Sequence, residues 1–240
     1  MWTLAKSHDR LTGRSYQLLN RQPSVLFTLI VGLKYLTAAA LCAAVSFAQD
    51  TEIGGAIGYG VYRAGSIYAP GGKAEAGIRN RFAAGVVFGE DLYDHISGEI
   101  RYLYHDGHAF LSAGGVKTDM QGQSHTFTYD LLFHLNDREH RLRPFFAAGG
   151  GAKGYVVAGP APSPQPLPNI ATLRTVDEWK PVISLGGGVK FTLYKNIVLR
   201  ADFRDYLTTF PRRQIVPAAN GTARGIFQQF TPFFGVSYTF

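Results

Sequence analysis

The sequence predicts an all-β fold, an eight-stranded antiparallel up-and-down transmembrane β-barrel, preceded by a cleavable leader. Three observations predict it. Apolar residues recur with a period of two in eight separate segments, which is the strand period and not the helix period. The connectors between those segments alternate between short and long. One face of each segment is bulky and apolar, while the other combines small residues with charges.

Composition sets the class. The 240 residues are 46% hydrophobic and only 17% charged, with 28 Gly and 13% aromatics. Such a chain is not expected to be disordered, a coiled coil or a helical bundle. No strongly apolar run reaches the length of a membrane-spanning helix without a charge, which argues against a helical multi-span protein.

Residues 1–48 read as the leader. Val25 to Leu33 is apolar, Lys34 interrupts, and Leu36 to Phe47 is apolar again and rich in Ala. Ser46-Phe47-Ala48 then places small residues at the third and first positions before Gln49. A short apolar core behind a basic flank, ending this way, marks a secretory signal peptide cut between Ala48 and Gln49, with Ala44 as the second choice. Two other readings fit less well. Lys34 splits the run into pieces too short for an anchor, and Leu41 stands where a lipoprotein signal needs a small residue before Cys42. The long segment before Ser24 suggests a translation start downstream of Met1. Cys42 is the one cysteine, so residues 49–240 offer no disulfide, thiolate zinc site or cysteine nucleophile.

The net charge is +7, but Lys6, Arg10, Arg14, Arg21 and Lys34 of the leader face a single acid, Asp9. A nucleic-acid binder concentrates its basic residues in the folded part, so nucleic acid is not expected as a partner.

Within residues 49–240 the clearest strands run from Ile96 to Tyr104, Thr126 to Leu135 and Ile197 to Arg204. Weaker alternation, diluted by Gly and Ala, covers Ile53 to Arg63, Ile78 to Phe88, Leu142 to Tyr155, Pro181 to Leu193 and Phe230 to Phe240. Each approaches the roughly 9–11 residues that a tilted strand needs to cross a bilayer. The connectors Gly89 to Asp94, Asn136 to His140 and Tyr194 to Asn196 are short and polar. Those from Ala64 to Ala76, His105 to Ser124, Val156 to Lys180 and Thr208 to Ile226 are long and read as loops. Short turns on one rim and long loops on the other describe a bacterial outer-membrane meander with the short turns in the periplasm.

A soluble eight-stranded barrel would show the same periodicity with its faces exchanged. The small residues decide against it. Gly54, Ala56, Gly58, Ala83, Gly85, Gly149, Gly151, Gly186 and Gly188 share the charged face, and small side chains belong inside a narrow barrel. That face also carries Arg79, Arg81, Arg101, Arg143, Lys153, Lys190, Arg200 and Arg204 against Glu99, Asp130 and Asp202, with His134 able to join. A lumen this small is filled by side chains, and ions inside it must be paired or hydrated. A charged network holding the lumen closed is the first expectation. A narrow anion-favouring pore is the alternative, because cations outnumber anions in that set.

Other patterns carry less. Gly149 to Lys153 and Gly186 to Lys190 lack phosphate-loop spacing and lie inside strands. His105-Asp106-Gly107-His108 with His125 nearby could offer metal ligands, but exposed loop histidines are usually unoccupied; no metal and no cofactor is expected. A lipid-modifying hydrolase is the third reading, yet His125 and Thr128 fall on opposite faces of one strand, so no catalytic residue is assigned and no enzyme is expected. In the loops, Asp177-Glu178-Trp179 and Arg212-Arg213 are exposed candidates for ligand contact, the arginines for lipopolysaccharide phosphates.

The end of the chain adds a resemblance. Phe234, Val236, Tyr238 and Phe240 share one face, and Gly235, Tyr238 and Phe240 match the pattern of Gly, two residues, aromatic, one residue, terminal aromatic. This resembles the terminal-strand signal read by the outer-membrane assembly machinery; Phe233 departs from it where a polar residue is usual. With Arg200-Ala201-Asp202-Phe203-Arg204-Asp205-Tyr206, similar to a penultimate strand, residues 50–240 resemble the OmpA-type group of small outer-membrane barrels. The resemblance implies an outer-membrane location and contact with outer-membrane lipid and lipopolysaccharide. It also implies delivery by periplasmic chaperones, insertion by the assembly machinery, and a monomer with a structural or loop-platform role. The chain stops at Phe240, so no peptidoglycan-binding domain is expected and a cell-wall anchoring role is not carried over.

Overall fold

The computed structural model describes residues 51–240, and of Arg224 only the backbone. The leader, with Lys34, Cys42 and the cleavage site between Ala48 and Gln49, lies outside the described residues.

The wall is built from eight long strands: β1 (Thr51–Tyr62), β4 (Arg81–Tyr93), β5 (Ile96–Asp106), β8 (Gly122–His134), β9 (Leu142–Val157), β11 (Glu178–Tyr194), β12 (Ile197–Thr209) and β15 (Ile226–Thr239). Between them lie the short strands β2 (Gly65–Ala69), β3 (Gly72–Ile78), β6 (Ala109–Ala113), β7 (Val116–Met120), β10 (Ala171–Leu173), β13 (Ile215–Pro217) and β14 (Thr222–Arg224). The long strands close into an antiparallel barrel in the order β1-β15-β12-β11-β9-β8-β5-β4, each beside its neighbour in sequence. Closure comes from β1 pairing with β15, from Glu52 against Thr239 to Tyr62 against Gln229. The Phe240 amide also donates to the Thr51 carbonyl at 2.9 Å. A closed sheet leaves no unpaired edge in the wall, which is what a strand in hydrocarbon requires.

Two of the short connectors are tighter than the sequence indicated, while the third is slightly longer, spanning 135–141. Asp94-His95 joins β4 to β5, and Lys195-Asn196 joins β11 to β12. In both hairpins the register shifts just before the turn, at Asp91/Tyr93 and Thr192/Tyr194. A bulge of this kind lets a two-residue turn close on a strongly twisted pair. The Asn196 side-chain amide then ties the turn to the last strand, donating to the Thr239 carbonyl at 2.6 Å.

The long connectors are not wholly loops: short strands run through each of them, a correction to the sequence reading. β14, β2, β3, β6 and β7 form a five-stranded sheet in that order, and β10 pairs with β13. The β6–β7 hairpin extends the β5–β8 pair in one unbroken register, Asp106 opposite Gln123 and Ala109 opposite Met120. Its tip is Gly114-Gly115, both with positive φ (56° and 84°), the pair that a two-residue hairpin turn of this hand demands. The apolar alternation is present in Ile67, Ala74, Ala76, Ile78, Ala109 and Leu111, but these residues are short or set among Gly and Pro, so the pattern reads weakly. They pack with Met120, Ile170, Leu173 and Ile215 and with Tyr62, Tyr155, Phe210 and Phe227 of the upper wall. This apolar core forms a cap over the long-connector end.

Candidate functional site

The two sides of the wall differ sharply. Outward positions carry Ile57, Val86, Ile100, Leu131, Ile183, Leu185, Leu199 and Val236, all exposed. Aromatic residues flank this band at both ends: Tyr93, Tyr194, Tyr238 and Phe240 toward the short turns, Tyr59, Phe82, Phe127 and Trp179 toward the cap. A continuous apolar surface of this size is far beyond what a soluble monomer presents, and the two aromatic girdles are those of a wall that meets lipid.

Inside, the charges are arranged in tiers. Near the short turns Glu52 accepts from Lys190 at 2.5 Å and from Arg200 at 3.4 Å. Asp91 accepts from Arg143 at 3.0 Å and from Ser97 at 2.5 Å, and Ser97 also meets His134 Nε2 at 2.7 Å. At mid-height Glu99 receives Arg101 and Arg200 at 2.7 Å and Arg204 at 3.3 Å. Asp202 receives Arg101 at 2.6 Å and Arg200 at 2.9 Å. Asp130 accepts from Thr128 at 3.1 Å, with Arg204 Nη1 3.7 Å away. All five of Glu99, Arg101, Arg200, Asp202 and Arg204 are buried. Glu99 and Asp202 are each shared by two or three guanidinium groups, the arrangement that makes buried ions tolerable.

Register and residue size together make room for this network. Gly186 lies opposite Arg204, and a Cβ there would sit 2.8 Å from Arg204 Cδ. Gly188 lies opposite Asp202, and a Cβ would meet Asp202 Cβ at 2.5 Å. Gly235 faces inward beside Arg200, where a Cβ would come within 3.0 Å of Arg200 Cγ. Phe233 also faces inward and is buried, with the Arg101 guanidinium 5.1 Å above its ring. An apolar residue at that position therefore serves the lumen, while Phe234, Val236, Tyr238 and Phe240 stay exposed on the outer surface.

Two of the expected lumen cations are elsewhere. Arg79 lies beyond the end of β3 and pairs with Asp119 of β7 at 2.8 Å; Arg81, at the rim of β4, pairs with Asp106 at 3.0 Å. Both have the inward parity, but Arg79 lies above the closed wall, and Arg81, opposite Gly60 at the first position of β4, is exposed at the rim. Conversely, sequence reasoning missed Glu52 and Asp91. Their signal was parity: Glu52 continues Gly54 and Ala56, and Asp91 continues Gly85 and Val87, one or two steps beyond the strand ends that the sequence suggested. Arg101, Arg143, Lys153, Lys190, Arg200 and Arg204 thus face Glu52, Asp91, Glu99, Asp130 and Asp202, close to balance.

Lys153 is the exception. It is buried, and its ammonium contacts Gln229 and lies 4.6 Å and 5.4 Å from the ring centres of Tyr62 and Tyr155. No acidic side chain pairs with it among the described residues. His105 sits in the same tier against Tyr62, ring centres 4.9 Å apart, and neither of its ring nitrogens has a hydrogen-bond partner. Above this tier lies the cap core. Below, at the short-turn end, a cavity of about 310 Å³ opens between Glu52, Asp91, Arg143 and Lys190.

The remaining candidates separate. His105 points into the barrel, whereas His125 is outside, 2.8 Å from the Tyr102 hydroxyl. No group of three or more metal-ligating side chains converges among the described residues. Thr128 is buried inside the lumen and His125 is on the outer surface, so the two cannot share a substrate. Both glycine runs lie within β9 and β11. Glu178 is buried and accepts from the Arg213 amide at 2.9 Å, and Arg212 donates to the Ala223 carbonyl at 2.6 Å. Trp179 belongs to the outer girdle.

No protein-family model matches the chain, and no curated protein matches it. Among solved structures it is similar to the N-terminal β-barrel domain of Pseudomonas aeruginosa OprF, at 14% identity and a TM-score of 0.44, over 80% of this chain and 97% of that one. Neisserial surface protein A is similar at 11% identity and a TM-score of 0.46, over 80% and 97%. Ail of Yersinia pestis, solved with the heparin analogue sucrose octasulfate, is similar at 13% identity and a TM-score of 0.42, over 80% and 99%.

Proposed function

We propose that the chain is an integral outer-membrane protein, exported by its leader, whose barrel is a closed, rigid support for the extracellular cap. The observation that carries this reading is the occupied lumen. Ion pairs fill the middle tier above the open cavity at the short turns, and an apolar core seals the other end. A conducting pore needs a continuous wet path, and an excess of one charge to be selective. The near balance of lumen charges supports the closed reading over an anion-favouring pore, and the divergence of His125 from Thr128 supports a non-enzymatic role. The exposed aromatic face of β15 suits recognition by the assembly machinery after chaperoned transit of the periplasm. The outer girdles suit direct contact with lipid and lipopolysaccharide as a monomer in its own membrane.

Two measurements test this. Membrane fractionation with a heat-modifiable mobility shift is expected to place the folded barrel in the outer membrane. Planar-bilayer recording is expected to show no unitary conductance; stable steps would overturn the closed lumen.

A further inference from the structure

The cap sheet ends in an open edge. β7 (Val116–Met120) pairs with β6 on one side only, and among the described residues no hydrogen bond reaches its other side. Which backbone groups point there follows from the hairpin below. The Gln121 carbonyl accepts from Ala158 on the β9 side, and the Gly122 carbonyl accepts from Gly107 on the β5 side. Alternation along the strand then turns the N–H and C=O of Asp119 and Lys117 toward the free edge, and those of Val116, Thr118 and Met120 toward β6. The side chains of Lys117 and Asp119 share the outer face and are exposed; Asp119 is held by Arg79, while Lys117 has no acidic partner among the described residues.

An unpaired strand edge is a template for another strand, and this one is complementary to itself. In an antiparallel pair of two β7 strands centred on Thr118, Lys117 lies opposite the partner's Asp119 and Asp119 opposite the partner's Lys117. These are also the residues whose backbone groups are free, so each such pair exchanges two backbone hydrogen bonds and one pair of opposite charges. Sliding the register by two residues either way places Lys117 opposite Lys117, or Asp119 opposite Asp119. One register is favoured and its nearest competitors are repelled.

We propose that β7 is a self-association edge, joining two copies of this chain that stand in apposed membranes. The orientation follows from geometry. A two-fold axis relating two antiparallel strands is perpendicular to their sheet. β6 and β7 continue the β5–β8 wall in register, so that axis lies along the membrane plane and the two barrels point in opposite directions. Five residues make a weak single contact; many copies on two facing surfaces make a strong one. The direction in which β7 projects rests on the membrane reading above.

The test uses protein purified from outer membranes and placed in two populations of phosphatidylcholine vesicles with different dyes. Vesicles carrying the unaltered chain are expected to co-aggregate. Lys117→Glu, which sets acid against acid across the pair, is expected to abolish this. Lys117→Pro, which removes an edge N–H without touching the β6 pairing, is expected to do the same. The double variant Lys117→Glu/Asp119→Lys is expected to aggregate with itself and not with the unaltered chain. Thr118→Cys is expected to give a disulfide-linked dimer between populations that the unaltered chain does not give. Dispersed vesicles of the unaltered chain, or aggregation undiminished by Lys117→Pro, would overturn the proposal. So would cross-linked dimers within vesicles that remain apart. Heat-modifiable mobility of each preparation is read alongside: its loss in the unaltered chain defeats the membrane reading, whereas dispersed vesicles with mobility intact defeat only the edge pairing.

Discussion

Arg200 of β12 and Glu99 of β5 stand 101 positions apart in the chain, yet their side chains meet at 2.7 Å in the middle of the barrel, both buried. The same carboxylate holds Arg101 and Arg204. A Gln at position 99 keeps the shape and removes the charge that compensates these guanidinium groups. Breaking a buried pair from one side costs about 3–5 kcal/mol, because the other ion stays buried. Glu99→Gln is therefore expected to lower the temperature of the heat-induced gel shift markedly. An unchanged temperature would mean that the lumen is wet enough to hydrate the arginines.

Lys153 leads to the opposite expectation. Its ammonium is buried against Gln229 and two tyrosine rings with no carboxylate beside it. Lys153→Met removes an uncompensated charge and keeps most of the volume, and apolar replacement of buried ions is often neutral or stabilising by about 1–4 kcal/mol. The gel-shift temperature of this variant is expected to equal or exceed that of the unaltered chain. A clear drop would show that the ammonium is an essential part of the tier.

Glycines opposite the long side chains are expected to tolerate no Cβ branch. A Cβ at Gly186 would come within 2.1 Å of the Phe203 carbonyl oxygen and 2.8 Å of Arg204 Cδ. Gly186→Val is expected to lose at least about 1–3 kcal/mol from overpacking, read as a smaller fraction reaching the heat-modifiable form. Gly55 is the control. Its only near neighbour would be the Gly85 carbonyl at 3.9 Å, and Gly55→Ala is expected to fold normally.

These cases show how far the sequence carries. A period of two is a property of each strand alone, so the wall, its inward face and most of the lumen charges were legible. Parity even covered Glu52 and Asp91, but strand ends are set by pairing across the sheet and by bulges at the turns, which no single segment reveals. Arg79 and Arg81 failed for the converse reason: parity persists in the numbering at the open rim of the wall and beyond it. The cap was hidden because its strands, such as Gly65–Ala69 and Ala109–Ala113, are five residues long and gain stability only from one another. Partner choice within the network, Glu99 with Arg200 and Glu52 with Lys190, depends on height in the barrel, and that is fixed by the stagger between strands.

The turn between β8 and β9 supplies a pH prediction outside the membrane. The Asp137 carboxylate lies 2.7 Å from His140 Nδ1, and that hydrogen bond holds its pKa below the ordinary aspartate value. A depressed carboxylate pKa adds stability that is present above the unfolded value and lost as pH falls through the folded one. The pair lies on a solvent-facing turn, so the effect belongs to the turn and not to the barrel. Carbon-detected NMR titration is expected to place the Asp137 midpoint below the ordinary aspartate value. His140→Ala is expected to raise it back to the ordinary range. An Asp137 midpoint unmoved by that substitution would remove the histidine as its cause.

The last strand supplies the final prediction, because its two faces can be altered separately. Tyr238 and Phe240 are exposed on the outer surface, whereas Gly235 and Phe233 face the lumen. If the aromatic face is what the assembly machinery reads, Phe240→Ser is expected to slow insertion without changing the finished barrel. Cells would accumulate the unfolded form in the periplasm, while the same variant refolded in detergent would keep the normal gel-shift temperature. Phe233→Asn alters the inner face instead. It restores the polar residue usual at that position but removes the ring beneath Arg101, so insertion is expected to stay normal while the gel-shift temperature falls. A Phe240→Ser variant that assembles at the normal rate would separate the exposed aromatic end from recognition and leave it a role in the girdle alone.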